Sequence, residues 1–199
     1  MATAATKTSV RFLLDPLCPF SWRTSLWIRN VRDHGVVDVE WRLYSLEFVN
    51  RAKTDNPYLP FMQKARPALR LLELARLTSG NDAIDRLHLA LGRAAHERSQ
   101  DIGEPDTLRA AAEEAGLDLA LVDRALTDTS LDQELTAQYE ESEKNGAFGV
   151  PTLWVDAQEK PFYGPVIGVV PEGAEAVEIW NAALALTNKP YFFELKRNR

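Results

Sequence analysis

A single cysteine, Cys18, stands in the run Asp15-Pro16-Leu17-Cys18-Pro19-Phe20-Ser21-Trp22, between an apolar segment and an amphipathic one. A thiol set just ahead of a first helical turn meets backbone N–H donors that have no intrahelical partner. It also meets the positive end of the helix dipole, and both favour thiolate over thiol. Pro19 suits the first helical position, which needs no N–H and takes the φ that the ring imposes. The chemistry of such a placement is nucleophilic attack by sulfur, which requires a primed atom open to solvent. Ser21 follows one turn later, where its hydroxyl either donates to that thiolate or satisfies first-turn backbone groups; both readings stand. The competing reading of a lone cysteine is a small buried hydrophobe.

Other chemistries find less support. One cysteine forms neither an internal disulfide nor a thiolate-rich metal site, and His34, His88 and His96 show no ligand spacing, so no metal is expected. Asp15 is read as a turn residue bonding nearby backbone, without a catalytic role. The formal charge of −6 over 199 residues offers no field for phosphate backbones or anionic lipid, so neither nucleic acid nor membrane is an expected partner. Lys196, Arg197 and Arg199 read as a solvated tail. Residues 1–8 lack the apolar core of a signal peptide and no stretch approaches ~20 apolar residues, so a cytoplasmic protein is expected.

The elements that must position Cys18 follow from hydrophobic period. Val10 to Leu14 is a short apolar run closed by Asp-Pro, the mark of a buried strand ending in a turn. From Pro19 to about His34, Trp22 with Leu26 and Trp27 with Val31 make i,i+4 pairs. Arg23, Arg29, Arg32 and Asp33 are assigned to water, and Gly35 supplies the stop. Val37, Val39, Trp41 and Leu43 then alternate with Asp38, Glu40, Arg42 and Tyr44, the period of a half-buried strand. The result is a β-α-β unit with a crossover long enough for a parallel pair.

Between Asn50 and Gly146 Leu and Ala recur at helical intervals. Helices are predicted near Tyr58–Thr78 with a break at Pro67, from Asn81, from Pro105 to Gly116, near Asp118–Thr127 and over Ser130–Lys144. Strands return at Val150–Asp156 and Phe162–Tyr163, joined by a polar turn from Ala157 to Lys160. A last helix over Glu172–Leu186 carries Val177, Trp180 and Leu184 on one face.

A β-α-β half and a β-β-α half, a cysteine at the first strand-to-helix junction and Val150-Pro151-Thr152 opening the second half together resemble the thioredoxin fold. The central helices make the chain similar to the DsbA family. Four segments narrow the resemblance to the mycothiol-dependent nitroreductase branch: Asp15-Pro16-Leu17-Cys18-Pro19, Gly149-Val150-Pro151-Thr152, Phe162-Tyr163-Gly164-Pro165-Val166 and Tyr191-Phe192-Phe193-Glu194-Leu195-Lys196-Arg197. The fold class this implies is α/β, a thioredoxin-like domain over 1–49 and 147–199 with an inserted α-helical domain over 50–146.

The resemblance also implies a function. Cys18 becomes the nucleophile of a thiol oxidoreductase that uses a low-molecular-weight thiol, mycothiol, as reductant and acts on nitroaromatic or other electron-poor small molecules, as a monomer or homodimer. Pro151 is implied to follow a cis peptide facing Cys18, leaving the backbone of Val150 to pair with a bound thiol beside Thr152. Pro19, Phe20 and Trp22 would wall a flat substrate, although Trp22 equally fits the core stripe of its helix. Asn50 and His96 fall where the branch places polar pocket residues; a helix-capping Asn and a solvated surface His are the alternatives. One departure matters: where the branch carries Cys-Pro-Trp-Cys, this chain reads Cys18-Pro19-Phe20-Ser21. Without the resolving thiol a mixed disulfide must be cleaved by an external one, which is monothiol chemistry. Two other functions share the pattern: a kappa-class glutathione transferase or hydroxychromene-carboxylate isomerase, which generally has serine in place of Cys18, and a non-catalytic redox sensor or binding module.

Overall fold

The computed structural model describes residues 7–198 apart from positions 54 and 157, so the sequence assignments made for Ala157 and Arg199 lie outside the described residues. Strand β1 (Thr8–Leu14) begins just ahead of the expected Val10 and ends at Asp15. Helix α1 (Pro19–Asp33) starts at the proline and stops where Gly35 takes a φ of +74°, with its N–H donating to the Arg32 carbonyl at 2.7 Å. A left-handed residue at this position lets the chain leave the helix while capping a terminal carbonyl, and glycine adopts it without a Cβ penalty. Strand β2 (Val37–Leu43) then returns parallel to β1, with Thr8 opposite Val37 and Leu14 opposite Leu43.

Eight further helices follow among the described residues: α2 (Leu46–Asn50), α3 (Leu59–Lys64), α4 (Arg66–Ser79), α5 (Asn81–Gly92), α6 (Pro105–Glu114), α7 (Ala120–Thr127), α8 (Leu131–Lys144) and α9 (Gly173–Thr187). A π-helical turn, Arg93–Glu97, continues α5. The break predicted at Pro67 falls at Ala65, which leaves the proline in the first turn of α4, where it forfeits no hydrogen bond. Helix α2 was not anticipated. It places Asn50 inside a helical turn rather than directly after a strand, and Asn50 Nδ2 donates back to the Leu46 carbonyl at 2.8 Å.

Strand β3 (Thr152–Val155) lies antiparallel on the other side of β1, with Leu153 opposite Phe12, and β4 (Phe162–Tyr163) pairs antiparallel with β3. The sheet order is β2-β1-β3-β4. Central β1 sends Val10, Phe12 and Leu14 into the main core with Trp27, Ile28, Trp41 and Trp180, all completely or almost completely buried. Trp27 Nε1 donates to the Ala176 carbonyl at 3.0 Å and binds α1 to α9. Of the face expected on α9, Trp180 is buried, whereas Val177 and Leu184 are half-buried at its margin.

Two outward assignments are corrected. Arg29 is 6% exposed, not solvated: its guanidinium bonds Asp85 and the Ser25 hydroxyl and lies 4.3 Å from the Trp41 ring centroid. A planar cation with five donors can be buried when a carboxylate and an aromatic face replace its water, conditions supplied by α5 and β2 from elsewhere in the chain. Tyr44, placed on the polar alternation of β2, is buried because α8 covers that face. Its ring packs on Tyr139 at 4.8 Å, and its hydroxyl donates to the Ala147 carbonyl at 3.2 Å.

Candidate active site

Cys18 is the N-cap residue of α1, with extended backbone angles (φ −79°, ψ 111°). Its carbonyl accepts from the Trp22 N–H at 2.9 Å and opens the helix. Sγ takes the place of the oxygen in an ordinary cap and accepts from the Ser21 N–H at 3.4 Å. On its other side Sγ lies 3.5 Å from the Val150 carbonyl oxygen, to which it donates as a thiol. One neighbour therefore favours the thiolate and the other the thiol. The residue is 4% exposed, less open than the sequence reading requires of a nucleophile, because Val150 comes over it from the second half of the chain. It nonetheless lines an open cleft of about 430 Å³ together with Pro19, Phe20, Leu46, Phe148 and Tyr163.

The turn that presents the sulfur is held from below. The Asp15 carboxylate, 2% exposed, accepts the Leu17 N–H through Oδ1 and the Leu46 N–H through Oδ2, both at 2.8 Å, and so ties the cysteine turn to the start of α2. Burial pushes its carboxyl up to about 6, against the pull of those two N–H donors. His96 bonds the Pro16 carbonyl at 2.8 Å through Nε2, which must carry the proton. Its ring stacks on Trp22 with centroids 6.0 Å apart and planes inclined by 21°. Burial lowers the His96 pKa although the Pro16 carbonyl opposes it. On the far side of Trp22, the buried His88 stands edge-on at 6.1 Å; burial and the adjacent Arg29 guanidinium keep it neutral.

Of the residues singled out in the sequence, Cys18, Pro19, Phe20 and Val150 line the cleft. The Val150–Pro151 peptide is cis, and Thr152 Oγ1 donates to the Gly149 carbonyl at 2.7 Å, so Pro151 and Thr152 shape the loop that presents Val150. Ser21 contributes its backbone N–H rather than its hydroxyl: Oγ is buried and has no hydrogen-bond partner among the described residues. Trp22 belongs to the packing beneath the turn and does not line the cleft. His96 buttresses the Pro16 carbonyl, and Asn50 bonds Leu46 and Lys53 beside its own helix; neither lines the cleft.

Four lining residues were not named as site residues from the sequence, Leu46, Phe148, Gly149 and Tyr163, although Gly149 and Tyr163 lie in segments that carry the resemblance. Phe148 is 70% exposed and stacks on Tyr163 at 5.4 Å, an aromatic pair beside the sulfur. Tyr163 sits opposite Thr152 in the β3–β4 ladder, and a Cβ on Gly149 would come within 3.3 Å of its ring. The predicted hairpin held this information, but only its register discloses which residue faces Thr152. Among the described residues no three His, Cys, Asp or Glu side chains gather to hold a metal ion.

A family model described as the Rv2466c-like mycothiol-dependent nitroreductase matches residues 17–197. The chain belongs to this Rv2466c-like family. A relative from Mycobacterium tuberculosis, the uncharacterized protein Rv2286c, is 32% identical over 191 residues, covering 96% of this chain and 82% of the relative. The probable DsbA oxidoreductase SCO1869 of Streptomyces coelicolor superposes with a TM-score of 0.62 at 17% identity, covering 96% of this chain and 94% of the other. The cytosolic disulfide reductase DsbM of Pseudomonas aeruginosa gives 0.62 at 15% identity, over 89% and 99% of the respective chains. The fold of this Rv2466c-like protein is thus thioredoxin-like, of the DsbA kind, and its family places it among thiol-dependent oxidoreductases. Among the described residues no helix is long and apolar enough to cross a membrane.

Proposed function

We propose that this protein is a monothiol oxidoreductase in which Cys18 exchanges with a low-molecular-weight thiol, mycothiol, to reduce nitroaromatic or other electron-poor small molecules. The observation that carries the reading is the sulfur itself: held at the N-cap by the Ser21 N–H, 3.5 Å from the backbone of Val150, in a cleft whose walls are apolar and aromatic. In the cycle, an acceptor A and one thiol RSH convert the Cys18 thiol into the mixed disulfide Cys18–S–S–R, with two electrons and two protons passing to AH2. A second RSH attacks that disulfide and leaves as RSSR, returning Cys18 to the thiol; the sum is A + 2 RSH → AH2 + RSSR. Ser21 offers no internal thiol, so the second RSH is obligatory. The stacked Phe148–Tyr163 pair and Phe20 supply flat apolar surfaces for an aromatic acceptor.

Mass spectrometry of the full chain after incubation with mycothiol disulfide tests the reading. A mycothiol-sized adduct on Cys18, discharged by added mycothiol and absent from Cys18→Ser, is expected. Absence of any adduct removes the exchange mechanism and favours transferase-like binding without covalent attachment. Adduct formation without turnover of a nitroaromatic leaves a redox sensor. Labelling of Cys18 by iodoacetamide as pH is raised is expected to set in well below the ~8.5 of an ordinary cysteine.

A further inference from the structure

The sheet face that carries Leu13 bears a second cavity, away from the sulfur. Pairing across β1 puts Arg11 between Glu40 and Trp154, and Leu13 between Arg42 and Thr152, on one face. Helix α8 covers that face, and between the two lies a cavity of about 130 Å³ lined by Arg11, Arg42, Trp154, Gln138 and Glu141 among others. Of its charges Arg42 is paired with Glu40, and the other two are not paired with each other. The Arg11 guanidinium stacks 4.2 Å from the Trp154 ring centroid and forms no ion pair among the described residues, because the Glu40 opposite it is taken by Arg42. Glu141, across the cavity, also forms no ion pair among the described residues. Gln138 commits its Nε2 to Glu134 at 3.5 Å, which leaves its Oε1 shut off from solvent with no partner among the described residues.

We propose that this cavity binds a small α-amino acid in its zwitterionic form. The carboxylate lies against the planar N–H fork of Arg11 and the N–H groups of Arg42 that Glu40 does not take, and the ammonium group reaches the Glu141 carboxylate and the orphaned Gln138 Oε1. A simple anion would face the Glu141 carboxylate and leave Gln138 Oε1 unsatisfied. A simple cation would face two guanidinium groups. The volume equals roughly four waters at about 30 Å³ each, enough for the backbone of an amino acid with little or no side chain. The proposal is independent of the thiol chemistry, since none of its charged residues lines the Cys18 cleft.

Isothermal titration of the full chain with L-alanine, sodium acetate and methylammonium chloride tests it. L-Alanine is expected to bind about tenfold or more tightly than either fragment ion, the difference that one additional charged hydrogen bond makes. Arg11→Gln and Glu141→Gln are each expected to weaken L-alanine by about tenfold or more while leaving thermal unfolding and Cys18 labelling unchanged. Binding of acetate as tight as that of L-alanine, indifferent to Glu141→Gln, would overturn the zwitterion assignment in favour of an anion site. Methylammonium matching L-alanine would overturn it as well, and so would no heat from L-alanine at millimolar concentration.

Discussion

Replacing Ser21 with cysteine separates the two functions of that position. The Ser21 hydroxyl is fully buried without a partner among the described residues, and a buried polar group in that state costs about 1–3 kcal/mol. A thiol is weakly polar and sheds most of that cost, although fitting the larger sulfur takes some of it back. A net gain of about 1 kcal/mol in reductant raises the melting temperature of a chain this size by about 2–4 °C. The chemical consequence is larger. The Ser21 backbone N–H already touches Cys18 Sγ at 3.4 Å, so Ser21→Cys brings a second sulfur within reach of a mixed disulfide on the first. With the external thiol removed, the wild-type adduct is expected to persist, while Ser21→Cys expels the bound thiol and ends two hydrogens lighter by mass. Scanning fluorimetry reads the first effect and intact-protein mass spectrometry the second. An adduct equally persistent in both proteins would refute the geometry, and a lower melting temperature would refute the argument that the hydroxyl is a burden.

Further predictions concern the support of the turn. A Cβ at Gly92 would sit 2.2 Å from ring carbons of Trp22, so Gly92→Ala is expected to cost about 3 kcal/mol in urea unfolding, more than its gain of about 1 kcal/mol in helix propensity, and to slow Cys18 labelling. His96→Phe keeps a ring on Trp22 but loses the 2.8 Å bond to the Pro16 carbonyl; about 1 kcal/mol of stability and a several-fold slower labelling of Cys18 are expected. The Asp15 carboxyl, at about 6 when folded against 3.8 when unfolded, holds its proton more firmly in the native state. Its contribution to stability is therefore greatest below pH 3.8 and declines as pH rises to about 6, by about 3 kcal/mol in all. Asp15→Asn should remove one proton's worth of slope from the pH dependence of unfolding in that window; an unchanged slope would mean that the carboxyl is hydrated.

Most of what the chain reveals by itself is periodic or local. The 2.0 period of Val37 to Leu43, the 3.6 period of Pro19 to Asp33, prolines at first helical turns and Gly35 past a helix end are backbone preferences, legible wherever they occur. The N-cap position of Cys18 is local too, which is why its hydrogen bond from the helix start was foreseeable. Contacts between distant segments have no such signature. Arg29 follows the polar pattern of an exposed residue and is buried only because Asp85 and Trp41 are brought to it. The hydroxyl of Ser21 can turn to several partners, and packing left it none among the described residues. His96 is separated from Pro16 by 80 residues, so its support of the cysteine turn depends on how α5 lies against α1. The amino-acid sequence thus determined the strands, all the longer helices and the placement of one sulfur at a helix start. The resemblance brought Val150 to the sulfur, and only the tertiary structure decided that Val150 covers it, that Phe148 and Tyr163 flank it, and which polar groups were buried beside it. Burial is a property of what the rest of the chain places nearby, and no local pattern encodes that.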